Sequence, residues 1–199
     1  KVKQEHLGDY NFKTQSDTEV ILALYEKYGV DSFSMLDGMF AFSIYDKTKN
    51  KVYIARDFFG EKPLYYCHHK DGFYWCSELK SILKVLDEKP ELNKTAVNLY
   101  FQLTYIPAPY TIYEGIHKLN ANHFLELDCV TLSVKEFAIK SNTYANYKGI
   151  SKQDATIITA QKIRESVKTR SISDVPIGTF LSGGVDSSIV SLCLAEQSK

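Results

Sequence analysis

Residues 175–190 read VPIGTFLSGGVDSSIV, two apolar segments with a glycine pair, an aspartate and serines between them. VPIGTFL (175–181) is short, continuous and apolar, the composition of a strand buried on both faces. SGGVD (182–186) reads as a loop, and SSIVSLCLAEQ (187–197) as a helix. Upstream, residues 151–170 set Ile157, Ala160, Ile163 and Val167 on one helical face. Helix, buried strand, glycine loop, helix is the order of a parallel α/β domain, here at its beginning.

A glycine-rich turn between a strand and a helix aims several backbone N–H groups one way, and the helix dipole adds partial positive charge. That suits an anion, typically a phosphate. Gly183 and Gly184 would let a ligand approach without a Cβ in its path. Ser182, Ser187 and Ser188 can add hydroxyl donors. Asp186 fits a phosphate site once a magnesium ion bridges carboxylate and phosphate oxygens. The alternative is a tight turn whose glycines only permit close packing, with Asp186 as helix cap. GxxxxGK[ST] is absent, which excludes a Walker A loop.

Residues 1–130 have a different grammar. Ser16 and Glu19 have capping-box spacing ahead of a helix on which Val20, Ile21, Leu24 and Tyr28 share a face, with Gly29 as its stop. Met39–Asp46 and Lys51–Arg56 read as strands joined by a turn at 47–50, and Leu64–His68 and Phe73–Ser77 as a hairpin about Asp71-Gly72. That turn would set Cys67 opposite Cys76, where a disulfide is conceivable; two reduced thiols are the plainer expectation. Short helices are expected at 81–86 and after Asn93, and one more hairpin at 117–128. This part reads as α+β with antiparallel sheets. Residues 138–150 are polar and aperiodic, so 131–150 reads as a linker and 151–199 as the second domain.

Composition narrows the partners. Lys and Arg (24) balance Asp and Glu (24), so no charge excess favours nucleic acid. No apolar run approaches the roughly 20 residues that span a bilayer. The four cysteines form no CxxC, which disfavours zinc.

SGGVDSS resembles the PP-loop of N-type ATP pyrophosphatases, and DVPIGTFLSGGVDSS is closer still to the glutamine-hydrolysing asparagine synthetase family. SDTEVIL (16–22), LDGMFAFSIYD (36–46), RDFFGEKPLYY (56–66), SELKSI (77–82) and YIPAPYTIYEGIHKL (105–119) resemble, in order, that family's Ntn-type glutaminase domain and the stretch after it. The resemblance implies an α+β glutaminase followed by a PP-loop domain in a cytoplasmic enzyme, and a homodimer is compatible with it. It implies glutamine, aspartate and ATP as substrates, Mg²⁺ as cofactor, and no nucleic-acid or membrane partner. Leu181 would contact the nucleotide; Ser182, Gly183, Gly184, Val185, Asp186 and Ser187 would hold its pyrophosphate end, with Asp186 on the metal. Asp17 would bind the α-amino group of glutamine, although it could equally serve the helix dipole. Arg56, Asp57, Gly60, Lys62 and Pro63 are expected to be structural.

One departure is large. The family nucleophile is an N-terminal cysteine, yet residue 1 is lysine and no cysteine precedes Cys67. The arginine and the Asn-Gly-Glu segment that bind glutamine are also missing. The expectation is therefore an internal fragment, inactive by itself. Relatives that amidate a sugar acid or a β-lactam precursor remain alternatives, as does a non-catalytic nucleotide-binding scaffold.

Overall fold

The computed structural model describes residues 2–70, 72–140 and 147–197. It divides into two units, Lys1–Asn142 and Thr143–Lys199.

The first unit is layered. After the short helix α1 (Val2–His6) comes α2 (Asp17–Tyr28), which continues into a 3-10 segment, Gly29–Met35. Ser16 caps α2 by accepting from the Thr18 N–H, and Gly29 ends it at φ +60°. The reciprocal half of the expected capping box is not made. Glu19 reaches past Ser16 to accept from the N–H groups of Lys13 (2.8 Å) and Thr14 (2.7 Å). These bonds hold its carboxyl below the usual range, and they tie the preceding loop to the helix.

Strands β1 (Ala41–Asp46), β2 (Lys51–Arg56), β6 (His123–Asp128) and β7 (Val134–Ala138) form one antiparallel sheet in the order β1-β2-β6-β7. A second sheet has the order β4-β3-β5, from β3 (Tyr65–His69), β4 (Gly72–Cys76) and β5 (Ile116–Lys118). Period-two alternation gives each sheet two apolar faces. Tyr53, Ala55 and Phe124 meet Tyr25 of α2 and Phe33 on one side of the first sheet. Ile54 and Leu125 point the other way, toward Tyr66, Phe73 and Trp75 of the second sheet. The far face of that sheet, Cys67 and Ile116, packs on Ile82 of α3 (Leu79–Val85). The order is helix, sheet, sheet, helix.

Three expectations need correction here. The stretch 117–128 is not a hairpin. β5 pairs with β3 and β6 pairs with β2, so the chain crosses from one sheet to the other between Lys118 and His123. Leu119, with no exposed surface, plugs the crossing, and Asn122 takes φ +59°. The β3–β4 register differs by two residues from the Asp71-Gly72 expectation: Cys67 faces Tyr74, Tyr65 faces Cys76, and both thiols are free. A two-residue slip keeps every side chain on its own face, so the alternating pattern could not exclude it. Residue 71 itself lies outside the described residues. Lastly, part of the stretch read as a linker from residue 131 is the edge strand β7, and Ile139 beyond it is buried. Of the remainder, 141–146 lie outside the described residues.

The second unit contains α5 (Lys152–Arg170), capped by Ser151, and α6 (Val185–Gln197). The strand expected at 175–181 is absent, and its apolar side chains are exposed, Phe180 almost wholly (99%). A strand is defined by a ladder to a neighbour. Among the described residues of this unit there is no other strand to supply one, so the parallel sheet is not formed.

Candidate functional site

The SGGVDSS turn leads directly into α6, whose first helical residue is Val185. The first N–H groups of any helix have no acceptor within it, and here they emerge beside the glycine pair. Gly183 adopts φ +82°, a left-handed conformation that favours glycine, although a Cβ there would meet nothing within 4 Å. A Cβ on Gly184 would touch only the hydroxyls of Ser182 (3.6 Å) and Ser187 (3.9 Å), so no contact within the chain requires glycine there.

The serines fold the turn on itself. Ser182 and Ser187 share a hydrogen bond of 2.9 Å, and the Ser187 and Ser188 hydroxyls donate to the Gly184 carbonyl at 3.0 and 2.8 Å. Asp186 lies in the first turn of α6 rather than at the cap. Its exposed carboxylate makes no hydrogen bond or ion pair with another described residue. One such carboxylate beside a helix N-terminus could hold Mg²⁺, which keeps several waters and takes one or two carboxylates plus phosphate oxygens. Leu181 is exposed.

Asp17 is the first residue of α2. Its hydrogen bonds all use Oδ1, which accepts from the Thr18 N–H at 2.8 Å and lies 3.5 Å from the Ser16 and Thr18 hydroxyls. Asp17 is itself exposed. Asp17 and residues 181–187 belong to different units.

The RDFFGEKP motif (56–63) is architectural. Arg56 Nε donates to Lys62 O at 2.8 Å and Nη2 to Gly60 O at 2.6 Å, while Nη1 donates to Leu119 O at the sheet crossing. Asp57, with no exposed surface, accepts from the N–H groups of Phe59, Glu61 and Lys62 at 3.2, 2.8 and 2.9 Å. Gly60 sits at φ +66°, and a Cβ there would lie 2.9 Å from Arg56 Cζ, so glycine is required both for conformation and for space. Burial pulls the Arg56 guanidinium below its usual range, and the neighbouring Asp57 charge opposes that.

No cysteine replaces the expected nucleophile. Burial, with Cys76 adding to it, pushes the Cys67 thiol up, away from the reactive thiolate form. The residue patterns also gave no sign of a cavity of about 700 Å³ between Tyr28–Ser34 and Phe137–Lys140, floored by Tyr53 and Phe124. It lies between the segment after α2 and the end of β7, elements far apart in sequence, so no local signal encodes it.

Comparison with known proteins identifies the architecture. Residues 1–138 match the glutamine amidotransferase domain family. The chain belongs to that family. Residues 159–199 of the chain also match the asparagine synthase family. It is 42% identical over 186 residues to a Methanocaldococcus jannaschii protein with the provisional name asparagine synthetase [glutamine-hydrolyzing] 2, covering 91% of this chain and 36% of that one. To asparagine synthetase [glutamine-hydrolyzing] 1 of Bacillus subtilis it is 37% identical over 183 residues, covering 91% and 28%. The chain thus spans about a third of the length of these relatives. A solved glutamine phosphoribosylpyrophosphate amidotransferase from B. subtilis aligns with 99% of the chain at 16% identity and a TM-score of 0.49, a likeness too loose to carry weight. The helix–sheet–sheet–helix order of the first unit agrees with the Ntn-type amidotransferase fold implied by the sequence motifs. Among the described residues no helix is long and apolar enough to cross a membrane.

Proposed function

We propose that this chain is part of a glutamine-hydrolysing asparagine synthetase. The observation that carries the reading is the pairing, in one chain, of an amidotransferase unit with an SGGVDSS turn opening onto the N-terminus of α6. Glutamine hydrolysis would supply ammonia, with Asp17 Oδ2 accepting from the substrate's α-ammonium group. The nucleophilic thiol would come from outside these residues.

In the second unit, the N–H groups at the start of α6 and the hydroxyls of Ser182 and Ser187 would hold the β- and γ-phosphates of ATP. Leu181 would lie against the nucleotide. Asp186 would hold Mg²⁺, which supplies charge neutralisation for the phosphate oxygens. The β-carboxylate of aspartate would attack the α-phosphorus, and pyrophosphate would leave. Ammonia would then attack the β-carbonyl carbon of β-aspartyl-AMP, and AMP would leave with the carboxyl oxygen. A carboxylate oxygen is a poor leaving group; as AMP it is a good one.

The test is aspartate-dependent pyrophosphate release by the intact enzyme. Asp186→Ala should abolish it with either nitrogen source while sparing glutamine hydrolysis. ATP turnover that survived the change would sink the assignment of the turn. Asp17→Ala should lower the glutamine-supported rate and spare the ammonia-supported one. Equal losses with both would remove Asp17 from glutamine binding.

A further inference from the structure

Helix α2 begins differently from α5 and from α4 (Lys94–Leu103). At the head of α4 the Asn93 side chain accepts from the Ala96 N–H at 2.8 Å, and at the head of α5 Ser151 accepts from the Asp154 N–H at 3.1 Å. Those bonds join residues three apart, the span of an ordinary N-cap. Glu19 instead reaches five and six residues back. Its Oε1 accepts from the Lys13 N–H at 2.8 Å, and its Oε2 from the Thr14 N–H at 2.7 Å and the Thr14 hydroxyl at 2.5 Å. The Ser16 N–H, which a capping box would give to Glu19, goes to Thr14 Oγ1 at 3.2 Å. The box is therefore closed through Thr14, and residues 13–16 are pinned to the first turn of α2.

Stability does not account for this clamp. Residues 13–18 are all exposed, and hydrogen bonds that water can replace add little to folding. Helix polarity does not account for it either. A carboxylate in the first turn meets the dipole without any bond to the loop, and Asp17 already supplies one. What the clamp fixes is the path of the chain into Asp17. The Ser16 hydroxyl lies 3.5 Å from Asp17 Oδ1, and the Thr18 N–H donates to Ser16 Oγ at 3.2 Å and to Asp17 Oδ1 at 2.8 Å. Moving Ser16 would turn the Asp17 carboxylate.

We propose that Glu19 is a positioning residue for glutamine: by holding residues 13–16 against α2 it sets the direction in which Asp17 meets the substrate's α-ammonium group. This role rests on the glutamine-binding reading of Asp17 given above. Glu19 would act through Asp17 rather than on the substrate. The α-ammonium group lies away from the amide that is cleaved, so its contact is the same in the ground and transition states. Loss of such a contact raises KM and leaves kcat in place.

The experiment is steady-state glutamine hydrolysis by the intact enzyme carrying Glu19→Asp, Glu19→Gln, Asp17→Ala or Asp17→Ala with Glu19→Asp. Glu19→Asp keeps the first-turn charge but is one methylene too short to reach Lys13 and Thr14. Its KM for glutamine should rise about tenfold with kcat within about twofold, because a misdirected charge-assisted bond loses most of its worth. Glu19→Gln keeps the length and one accepting oxygen, so its KM should lie between those of the wild type and Glu19→Asp. The double variant should bind glutamine no worse than Asp17→Ala, since Glu19 acts through Asp17. A KM for Glu19→Asp at the wild-type value overturns the proposal. So does a Gln variant weaker than the Asp variant, which would assign Glu19 to the dipole. Additive losses in the double variant, or a kcat that falls as far as KM rises, overturn it as well, as general damage to the unit. A normal KM in Asp17→Ala brings down the glutamine-binding reading and the proposal with it. A raised KM there beside a normal one in Glu19→Asp leaves that reading standing and removes Glu19 alone.

Discussion

The two units use apolar residues in opposite ways. In the first, Ile54 and Leu119 lie between two sheets with no exposed surface; in the second, Phe180 and Ile172 are 99% and 88% exposed. The difference comes from what each element needs from others. A helix pairs most of its backbone groups within itself, so α5 and α6 need no neighbouring strand to satisfy them. A strand is only as real as its neighbour. Residues 41–56 and 123–138 find partners within the unit, whereas 175–181 finds none among the described residues. An apolar pattern thus states a demand for burial, and the rest of the chain decides whether it is met.

The largest effect is expected where burial includes charge. Asp57→Ala removes the acceptor of three backbone N–H groups and leaves the buried Arg56 without its neighbouring charge. The loss should be about 3–5 kcal/mol, read as a fall in the urea midpoint of the first unit at unchanged slope. A loss below about 1 kcal/mol would show that Arg56 is held by its carbonyl partners alone.

The contrast sharpens with one substitution in two places. Ile54→Ala opens a cavity between the sheets and should cost about 2–5 kcal/mol. Ile177→Ala, at a position 44% exposed, should change the stability of this chain by less than about 0.5 kcal/mol. In the intact protein, where a sheet would receive residues 175–181, the second change should approach the first. A large cost in this chain would mean that the strand has already found a partner.

Legibility followed the same line. Locally determined features were read correctly from the residues: the Ser16 and Asn93 caps, the glycine stop of α2, and the strand Lys51–Arg56 to the residue. Features set by distant partners were not. Nothing between Ile116 and Asp128 announces that β5 and β6 join different sheets, because either pairing buries Leu119 and Leu125. A β3–β4 register displaced by two residues satisfies the same alternation. The reach of Glu19 to Lys13 and Thr14 depends on how the preceding loop doubles back. The glycine turn and the helix after it were legible from residue types alone. The turn's supporting strand was legible only as an unmet demand.

The smallest effect separates the units by their ion pairs. Lys51 Nζ and Glu126 Oε1 meet at 2.6 Å across neighbouring strands, with side chains 30% and 23% exposed. Arg164 Nε and Glu196 Oε2 meet at 3.3 Å between two helices, at 56% and 47%. The first pair is held by rigid backbone on both sides, so little side-chain freedom is lost in forming it, and Glu126 raises the pKa of Lys51. The second needs two long, mostly solvated side chains to stay together, which water and salt oppose. Double-mutant cycles should give Arg164–Glu196 a coupling below about 0.5 kcal/mol that vanishes by 1 M salt, where the screening length is about 3 Å. Lys51–Glu126 should couple more strongly and keep part of its coupling in salt. Equal couplings would mean that the packed sheet confers no advantage on a pair at its surface, and that the units differ only in how they bury apolar groups.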